Sequence, residues 1–241
     1  MITLAFDSTA KAASVAVLKD GRILADYTID NGLTQSELLL PMAEDILKCL
    51  KLDYDDISLY ATSVGPGSFT GVRIGVALVK GLAFGKNKPC VAVSTIEALA
   101  ENLAGLDGII VPAMDARRGQ VYTAIFKSDK SGISRITKDM AIPLTELAEM
   151  LSVYPCENIY IVGDGYEVAC KALSSLGIKL SETPIGIRLE NAASVARVAE
   201  RIYAAGGAIT DSEIAPTYLR VPQAERERLE RETEKQNNGG N

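Results

Sequence analysis

The chain has 241 residues, 25 Lys and Arg against 31 Asp and Glu, a net charge of −6, and no histidine. The acidic balance argues against electrostatically driven nucleic-acid binding by the chain as a whole, while leaving room for a local basic patch. The missing histidines exclude His-based zinc sites, HExxH peptidase chemistry and Ser-His-Asp triads together.

The first strand is predicted at once, over 2–6, with Ile2, Leu4 and Phe6 alternating and Asp7-Ser8-Thr9 as the turn at its end. A second strand over 13–18, the hairpin signal Asp20-Gly21 and a third strand over 22–29 make an antiparallel meander. No basic leader or cleavable apolar segment is visible, and no apolar run approaches the roughly 18 residues of a membrane span. A cytoplasmic chain with no membrane contact is expected. Thr34-x-x-Glu37 is a capping box and predicts a helix over 34–50. Leu39, Ala43, Ile46 and Leu50 form one stripe, and Leu38, Leu40, Met42 and Leu47 widen it beyond a single core face. Pro41 falls inside and is expected to kink the helix or mark its first turn.

An apolar strand over 59–64 then runs into Gly65-Pro66-Gly67. Ser68 or Thr70 supplies an N-cap, a helix follows over 69–84, and Gly85 stops it. Backbone N–H groups at such a corner favour an anion. The spacing matches neither a Walker A loop nor a dinucleotide fingerprint, so a plain tight corner stands beside the anion site as a reading. Gly71, Gly75, Leu78, Leu82 and Gly85 share one face of the helix, Val72, Val76, Val79 and Ala83 another, and Arg73 and Lys80 lie on one line. Such a helix is buried on more than one side. It is either sandwiched within the chain or set between the sheet and a partner.

A strand over 90–93, a helix capped by Ser94 and a glycine linker at Gly105–Gly108 close the first half. The opening pattern then recurs: an apolar strand ending in Asp115, strands over 121–126 and 133–142, a helix over 144–151, a strand over 159–162, the turn Gly163-Asp164-Gly165 and a helix to 176. A long helix over 192–205 and Pro216-Thr217-Tyr218-Leu219-Arg220 end the fold. Residues 1–25 resemble 110–136 in pattern, and a duplication of this kind implies a two-lobed α/β fold. We expect an N-terminal lobe at 1–104, a C-terminal lobe at 105–222 and a charged, disordered tail at 223–241, dispensable for folding. Cys49, Cys90, Cys156 and Cys170 form no CxxC pair and are expected as reduced, mostly buried thiols.

Several segments together resemble one family. They are Phe6-Asp7-Ser8-Thr9, Ser36-Glu37-Leu38-Leu39-Leu40-Pro41, the run from Gly65-Pro66-Gly67-Ser68-Phe69-Thr70-Gly71 through Val72-Arg73-Ile74-Gly75, Asp115-Ala116-Arg117-Arg118-Gly119-Gln120-Val121-Tyr122, and Pro216-x-Tyr218-Leu219-Arg220. In this order they resemble the TsaB (YeaZ) family of bacterial tRNA threonylcarbamoyladenosine synthesis, over the chain to about Val221. The resemblance implies the duplicated actin, hexokinase and Hsp70-like (ASKHA, ribonuclease H-like) fold. It implies a non-catalytic subunit that pairs with its paralogue TsaD, which carries a His-based metal site and the transferase chemistry; TsaE and a threonylcarbamoyl-AMP synthase complete the pathway. The resemblance also implies that tRNA is reached only through the complex. One departure is visible: Gln35-Ser36 stands where many members resemble His-Ser.

No catalytic residue and no metal site are expected. The partner surface is expected on the helices over 34–50 and 70–84, through Gln35, Leu38, Leu39, Met42, Gly71, Arg73, Gly75, Leu78, Lys80 and Leu82. Gly71, Gly75 and Gly81 would let a partner helix approach closely, and the same patch should drive a homodimer when the chain is alone. Asp7 and Asp115 sit at equivalent corners of the repeats. In active relatives such acids position Mg²⁺ and phosphate; here capping of a turn is the preferred reading. Arg117 and Arg118 either grip an anion or stand as an exposed turn pair. With Ser8, Thr9, Gly65, Gly67 and Ser68, Asp7, Asp115 and Arg117 make up the candidate phosphate-binding set, for weak ATP or ADP with Mg²⁺ at a degenerate cleft or at the partner interface. A stand-alone ATPase or small-molecule kinase of the same fold is the alternative function. A peptidase ranks last, for want of histidine, a zinc motif or a G-x-S-x-G elbow.

Overall fold

The computed structural model describes residues 1–155 and 157–220; Cys156 and the expected tail lie outside the described residues. Strands β1 (Ile2–Asp7), β2 (Ala13–Lys19) and β3 (Arg22–Ile29) form the meander. Helix α1 (Gln35–Leu50) leads to β4 (Leu59–Ser63), α2 (Phe69–Ala83) and β5 (Cys90–Val93). The strands β4 and β5 add in parallel beyond β1, giving the order β3-β2-β1-β4-β5. The capping box sets the start of α1: Glu37 Oε2 accepts from the Thr34 backbone N–H at 3.0 Å and from its hydroxyl at 2.7 Å. Pro41 lies in the interior of α1, past its first turn.

The chain continues through α3 (Thr95–Glu101) into a second sheet, made of β6 (Gly108–Asp115), β7 (Gln120–Thr123), β8 (Phe126–Asp129), β9 (Gly132–Arg135), β10 (Met140–Pro143) and β11 (Ile159–Val162). Strand β6 pairs antiparallel with β8 at Gly108↔Ser128 and with β7 at Asp115↔Val121, in one continuous register. Strands β7 and β8 are therefore one strand interrupted at Ala124-Ile125, with β9 and β10 outside them and β11 parallel to β6 on its other side. This pairing repeats β3-β2-β1-β4, and Asp7 and Asp115 end the two matching strands.

Alternation along the strands decides which face takes which helices. Leu4, Phe6, Val15 and Val17 meet α1 and α2 through Leu39, Met42, Ile46, Val72 and Val76. Ala5, Ala16 and Ala61, on the opposite face, meet Ala192, Ala193, Ala196 and Ala199 of α6 (Ala192–Ala204). In the second sheet, α4 (Leu144–Leu151) and α5 (Tyr166–Ser175) cover one face and α3 the other, where Ile96 and Leu99 meet Ile110, Met114 and Phe126.

Residues 105–220 do not all pack around the second sheet. Helix α6 packs on β1, β2, β4 and β5; Ile209 bridges Cys90, and Ile214 lies in the core with Leu4 and Phe6. Residues 1–93 and 192–214 pack together around the first sheet. Alanine carries little hydrophobic signal in a sequence, yet two small-residue surfaces approach closely and pack densely. The thiols also differ from expectation: Cys90 is buried, Cys170 half-buried and Cys49 exposed. Among the described residues, no helix is long and apolar enough to cross a membrane.

Candidate functional site

A cleft of about 430 Å³ lies where the two matching strand ends face each other. Its walls include Thr9, Lys11, Gly67, Ser68 and Phe69 from beside the first sheet and Met114, Asp115, Arg117, Tyr122 and Asp164 from beside the second. A neighbouring space of about 340 Å³ continues it to Asp30, Leu189 and Glu190.

The candidate set divides on this geometry. Thr9, Gly67, Ser68, Asp115 and Arg117 line the cleft, Thr9 while 1% exposed and with its hydroxyl turned to Asp7, whereas Asp7, Ser8 and Gly65 are buried and do not line it. Asp7 Oδ1 accepts from the Thr9 N–H at 2.9 Å and its hydroxyl at 2.8 Å, and Oδ2 accepts from the Ser63 hydroxyl. This is the turn cap, closed inside the chain. Burial raises the Asp7 pKa against those hydrogen bonds. The Ser8 hydroxyl donates to Gly71 O at 2.8 Å. At the glycine corner, Ser68 N donates to Thr9 O at 2.8 Å and Gly71 N to Ser68 Oγ at 3.3 Å, so two N–H groups available for an anion are used internally. A Cβ on Gly67 would stand 2.6 Å from Thr9 O, and φ there is +158°, which favours glycine for geometric reasons alone.

The second sheet builds its corner the same way. Asp115 Oδ1 accepts from Arg117 N at 2.8 Å, Asp164 Oδ1 accepts from Asp115 N at 3.1 Å, and Gly165 N donates to Ala113 O at 2.9 Å. Arg117, Arg118 and Gly119 are three successive left-handed residues, with φ of 65°, 55° and 71°, and hold the tight β6–β7 turn. Glu190 carries no signal in sequence pattern alone. It is 3% exposed, and among the described residues neither carboxylate oxygen has a hydrogen-bond partner. Burial, then the nearby Asp164 and Asp7, push its pKa well up. Burial also raises Asp164, with the charge of Asp115 adding to it. Among the described residues, no group of three or more Asp, Glu, Cys or His side chains is gathered to hold a metal ion.

The expected partner residues divide as well. Leu39 and Met42 are 1% and 3% exposed and belong to the core under α1. Gly71 and Gly75 face inward: a Cβ on Gly75 would stand 2.7 Å from both Ser8 Oγ and Thr62 Oγ1, and one on Gly71 would collide with Ser8 O. These four are corrections. An all-round apolar helix does not reveal which face meets the sheet, and here the glycines let α2 approach β1 and β4. Gln35, Leu38, Leu78, Lys80 and Leu82 are half-buried and Arg73 is exposed. Gln35 Nε2 donates to Ala10 O at 2.7 Å, Arg73 Nε to Tyr218 Oη at 2.8 Å, and Lys80 Nζ to Ser212 O at 3.2 Å.

Residues 34–225 match the family model described as TsaD, tRNA N6-adenosine threonylcarbamoyltransferase. The chain is 31% identical to the tRNA threonylcarbamoyladenosine biosynthesis protein TsaB of Escherichia coli (strain K12), over 91% of this chain and 95% of that one. A solved structure described as an uncharacterized protein with similarity to peptidase YEAZ from Pseudomonas aeruginosa superposes with a TM-score of 0.73 at 26% identity, over 91% of this chain and 99% of that one. Component A of (R)-2-hydroxyglutaryl-CoA dehydratase from Acidaminococcus fermentans reaches a TM-score of 0.51 at 12% identity, over 85% and 99% of the two chains, a likeness of fold alone.

Proposed function

The chain belongs to the TsaB family of tRNA threonylcarbamoyladenosine biosynthesis proteins, and on that premise we propose that it binds and activates TsaD as a non-catalytic subunit. The modification would be N6-threonylcarbamoylation of the adenosine next to the anticodon in ANN-decoding tRNAs. One combined observation carries the reading: kinship to TsaB along 91% of the chain and to the transferase family over 34–225, in a sequence without histidine. Such a chain has no side chain with which to build the His-based metal site of TsaD, so it works through its relative. We also read the two repeated sheets as the duplicated lobes of an actin, hexokinase and Hsp70-like fold, a reading supported by their matching pairing order.

The docking surface is proposed on the outer sides of α1 and α2. Half-buried Leu38, Ile74, Leu78 and Leu82 pack on the core with one side only, Leu40 and Phe84 are exposed, and Gly81 has open space around it. Gln35, Arg73 and Lys80 would lie at its rim. TsaD would occupy this surface in a heterodimer, a second copy would occupy it when the chain is alone, and TsaE would join the larger complex. The test is capture by TsaD alongside a thermal melt. Gly81→Leu and Leu40→Glu should each weaken pairing while the melt stays near that of the parent. If both pair normally, the surface is wrongly placed; if the parent chain itself is not captured, the partner reading falls.

Nucleotide binding is proposed only as a weak property of the cleft. Thr9, Gly67, Ser68, Asp115 and Arg117 would face ATP or ADP, while Asp115 and Asp164 oppose a bare polyphosphate and favour one that arrives with Mg²⁺. Titration of the isolated chain with Mg-ADP should give a Kd no tighter than about 1 mM. Saturation at micromolar nucleotide would contradict this.

A further inference from the structure

The two lobes are fastened to each other in two ways. The first runs through α3 and its ends: Ser94 Oγ donates to Asp139, Arg135 to Glu97 at 2.8 Å, Asn102 Nδ2 to Ile187 O and Leu189 O at 3.1 and 2.7 Å, and Ser128 Oγ to Leu103 O. Among the described residues, and apart from the crossing of the chain into α6, where Asn191 Nδ2 donates to Asp26 Oδ2 at 2.8 Å, one hydrogen bond joins the lobes without using α3 or the turn after it. Arg220 Nη1 donates to Ala116 O at 2.9 Å, with the guanidinium 5.7 Å from the centre of the Tyr122 ring.

We propose that residues 216–220 are a clasp across the mouth of the interlobe cleft, with Arg220 as its catch. The segment is anchored on the first lobe before it crosses. Thr217 N donates to Val64 O at 2.7 Å, and Thr217 O lies where a Cβ on Gly65 would stand, 2.5 Å away. Tyr218 stacks on Phe69 with ring centres 4.7 Å apart, and its hydroxyl accepts from Arg73 Nε at 2.8 Å. Two residues later Arg220 reaches the other lobe. The residues it touches there, Ala116 and Tyr122, and the Phe69 that anchors Tyr218, all line the cleft of about 430 Å³. The receiving carbonyl is also fixed: Ala116 N donates to Gln120 O at 3.0 Å across the left-handed Arg117-Arg118-Gly119 turn. A guanidinium has the planar, multi-donor geometry for a carbonyl and a ring at once. The cleft therefore holds one width while Arg220 is seated, and α3 is the hinge about which the lobes part when it leaves.

Net, one such hydrogen bond changes an opening equilibrium by roughly three- to tenfold. The test measures the distance across the mouth in the full chain, with spin labels carried on unnatural side chains at the exposed positions Thr70 and Arg118, so that the native thiols stay in place. The parent chain should give a single narrow distance distribution. Arg220→Ala should add a longer component, with the open population raised roughly three- to tenfold, while α3 amides keep their hydrogen-exchange protection. Tyr122→Leu keeps the apolar bulk beneath the guanidinium and should move the distribution the same way by less; it serves as the primary variant if Arg220→Ala lowers the melting temperature of the whole chain. Distributions identical to the parent in both variants would overturn the proposal. So would protection lost evenly through both lobes, because that is loosening of the fold and not release of a catch.

Discussion

Glu190 enters the cleft floor from the stretch Arg188-Leu189-Glu190-Asn191, with no hydrogen-bond partner for either oxygen among the described residues and with Asp164 and Asp7 nearby. Its carboxyl holds a proton to higher pH when folded than when unfolded, so the folded state binds more protons. Its contribution is complete below the ordinary value of 4.5 and is lost as the pH rises through the raised folded value. Denaturant unfolding at a series of pH values should therefore show stability declining above 4.5, and Glu190→Gln should flatten that decline. An unchanged slope would mean that the carboxyl is solvated. Asp7 makes a different demand, since both its oxygens accept from Thr9 and Ser63. Asp7→Asn turns an acceptor into a donor and should cost about 1–3 kcal/mol. Capture by TsaD should persist in the molecules that remain folded; loss of capture with normal stability would point back to a ligand role. At the thiols, burial and then Asp211 push Cys90 up to about 11, while Cys49 is exposed. Alkylation of the native chain at neutral pH, mapped by peptide mass, should mark Cys49 and spare Cys90. Asp7 was legible as a corner because an Asp-Ser-Thr turn at a strand end is a local signal. Glu190 was not, because a lone acid in a polar loop gives no hint of what the distant β1 and the turn after β11 bring beside it.

At the scale of elements, the glycines of α2 separate two jobs that look alike in sequence. Gly71 and Gly75 sit against Ser8 and Thr62 on the sheet, while Gly81 meets nothing within 4 Å. Gly75→Ala and Gly71→Ala should each destabilise, by about 1–3 kcal/mol or more, through overpacking. Gly81→Ala should stabilise by about 0.5–1 kcal/mol, because it only removes backbone freedom from the unfolded chain. Thermal melts of the three variants check the order; a stabilised Gly75→Ala would place that face outward after all. Element positions were largely readable, since the Thr34–Glu37 box, the Ser68 and Ser94 caps and the glycine corners are decided by residues within one turn of each other. Orientation was not. Helix α2 carries apolar or small residues on nearly every side, and only the register of β1 beside β4 determines which side is spent on the sheet.

For the whole molecule, charge is the property that survives every detail of packing. At −6, the isolated chain should not hold tRNA at physiological salt, because tight binding rests on many Lys and Arg contacts to phosphate. A filter-binding titration that gave a sub-micromolar complex with the chain alone would move recognition onto this subunit. The internal repeat was visible as strands ending in Asp7 and Asp115, yet the lobe boundary drawn from it placed α6 with the wrong sheet. The repeat is written in strand pattern, whereas the return of the chain is written in alanines, whose contacts matter only once the opposing Ala5, Ala16 and Ala61 are known.

That return sets an order of events during synthesis. The first sheet is complete when residue 93 leaves the ribosome, but one of its faces waits for α6, about 100 residues later, and its edge strand waits for Ile209 to pair with Cys90. The second sheet, by contrast, has its strands, α4 and α5 in one unbroken stretch, and α3 directly before it. The lobe translated first is thus the last to finish folding, and contacts of such long sequence separation fold slowly. A fragment ending at residue 104 should show no cooperative melt, and one ending at 190 should protect amides in the second sheet while the first exchanges freely.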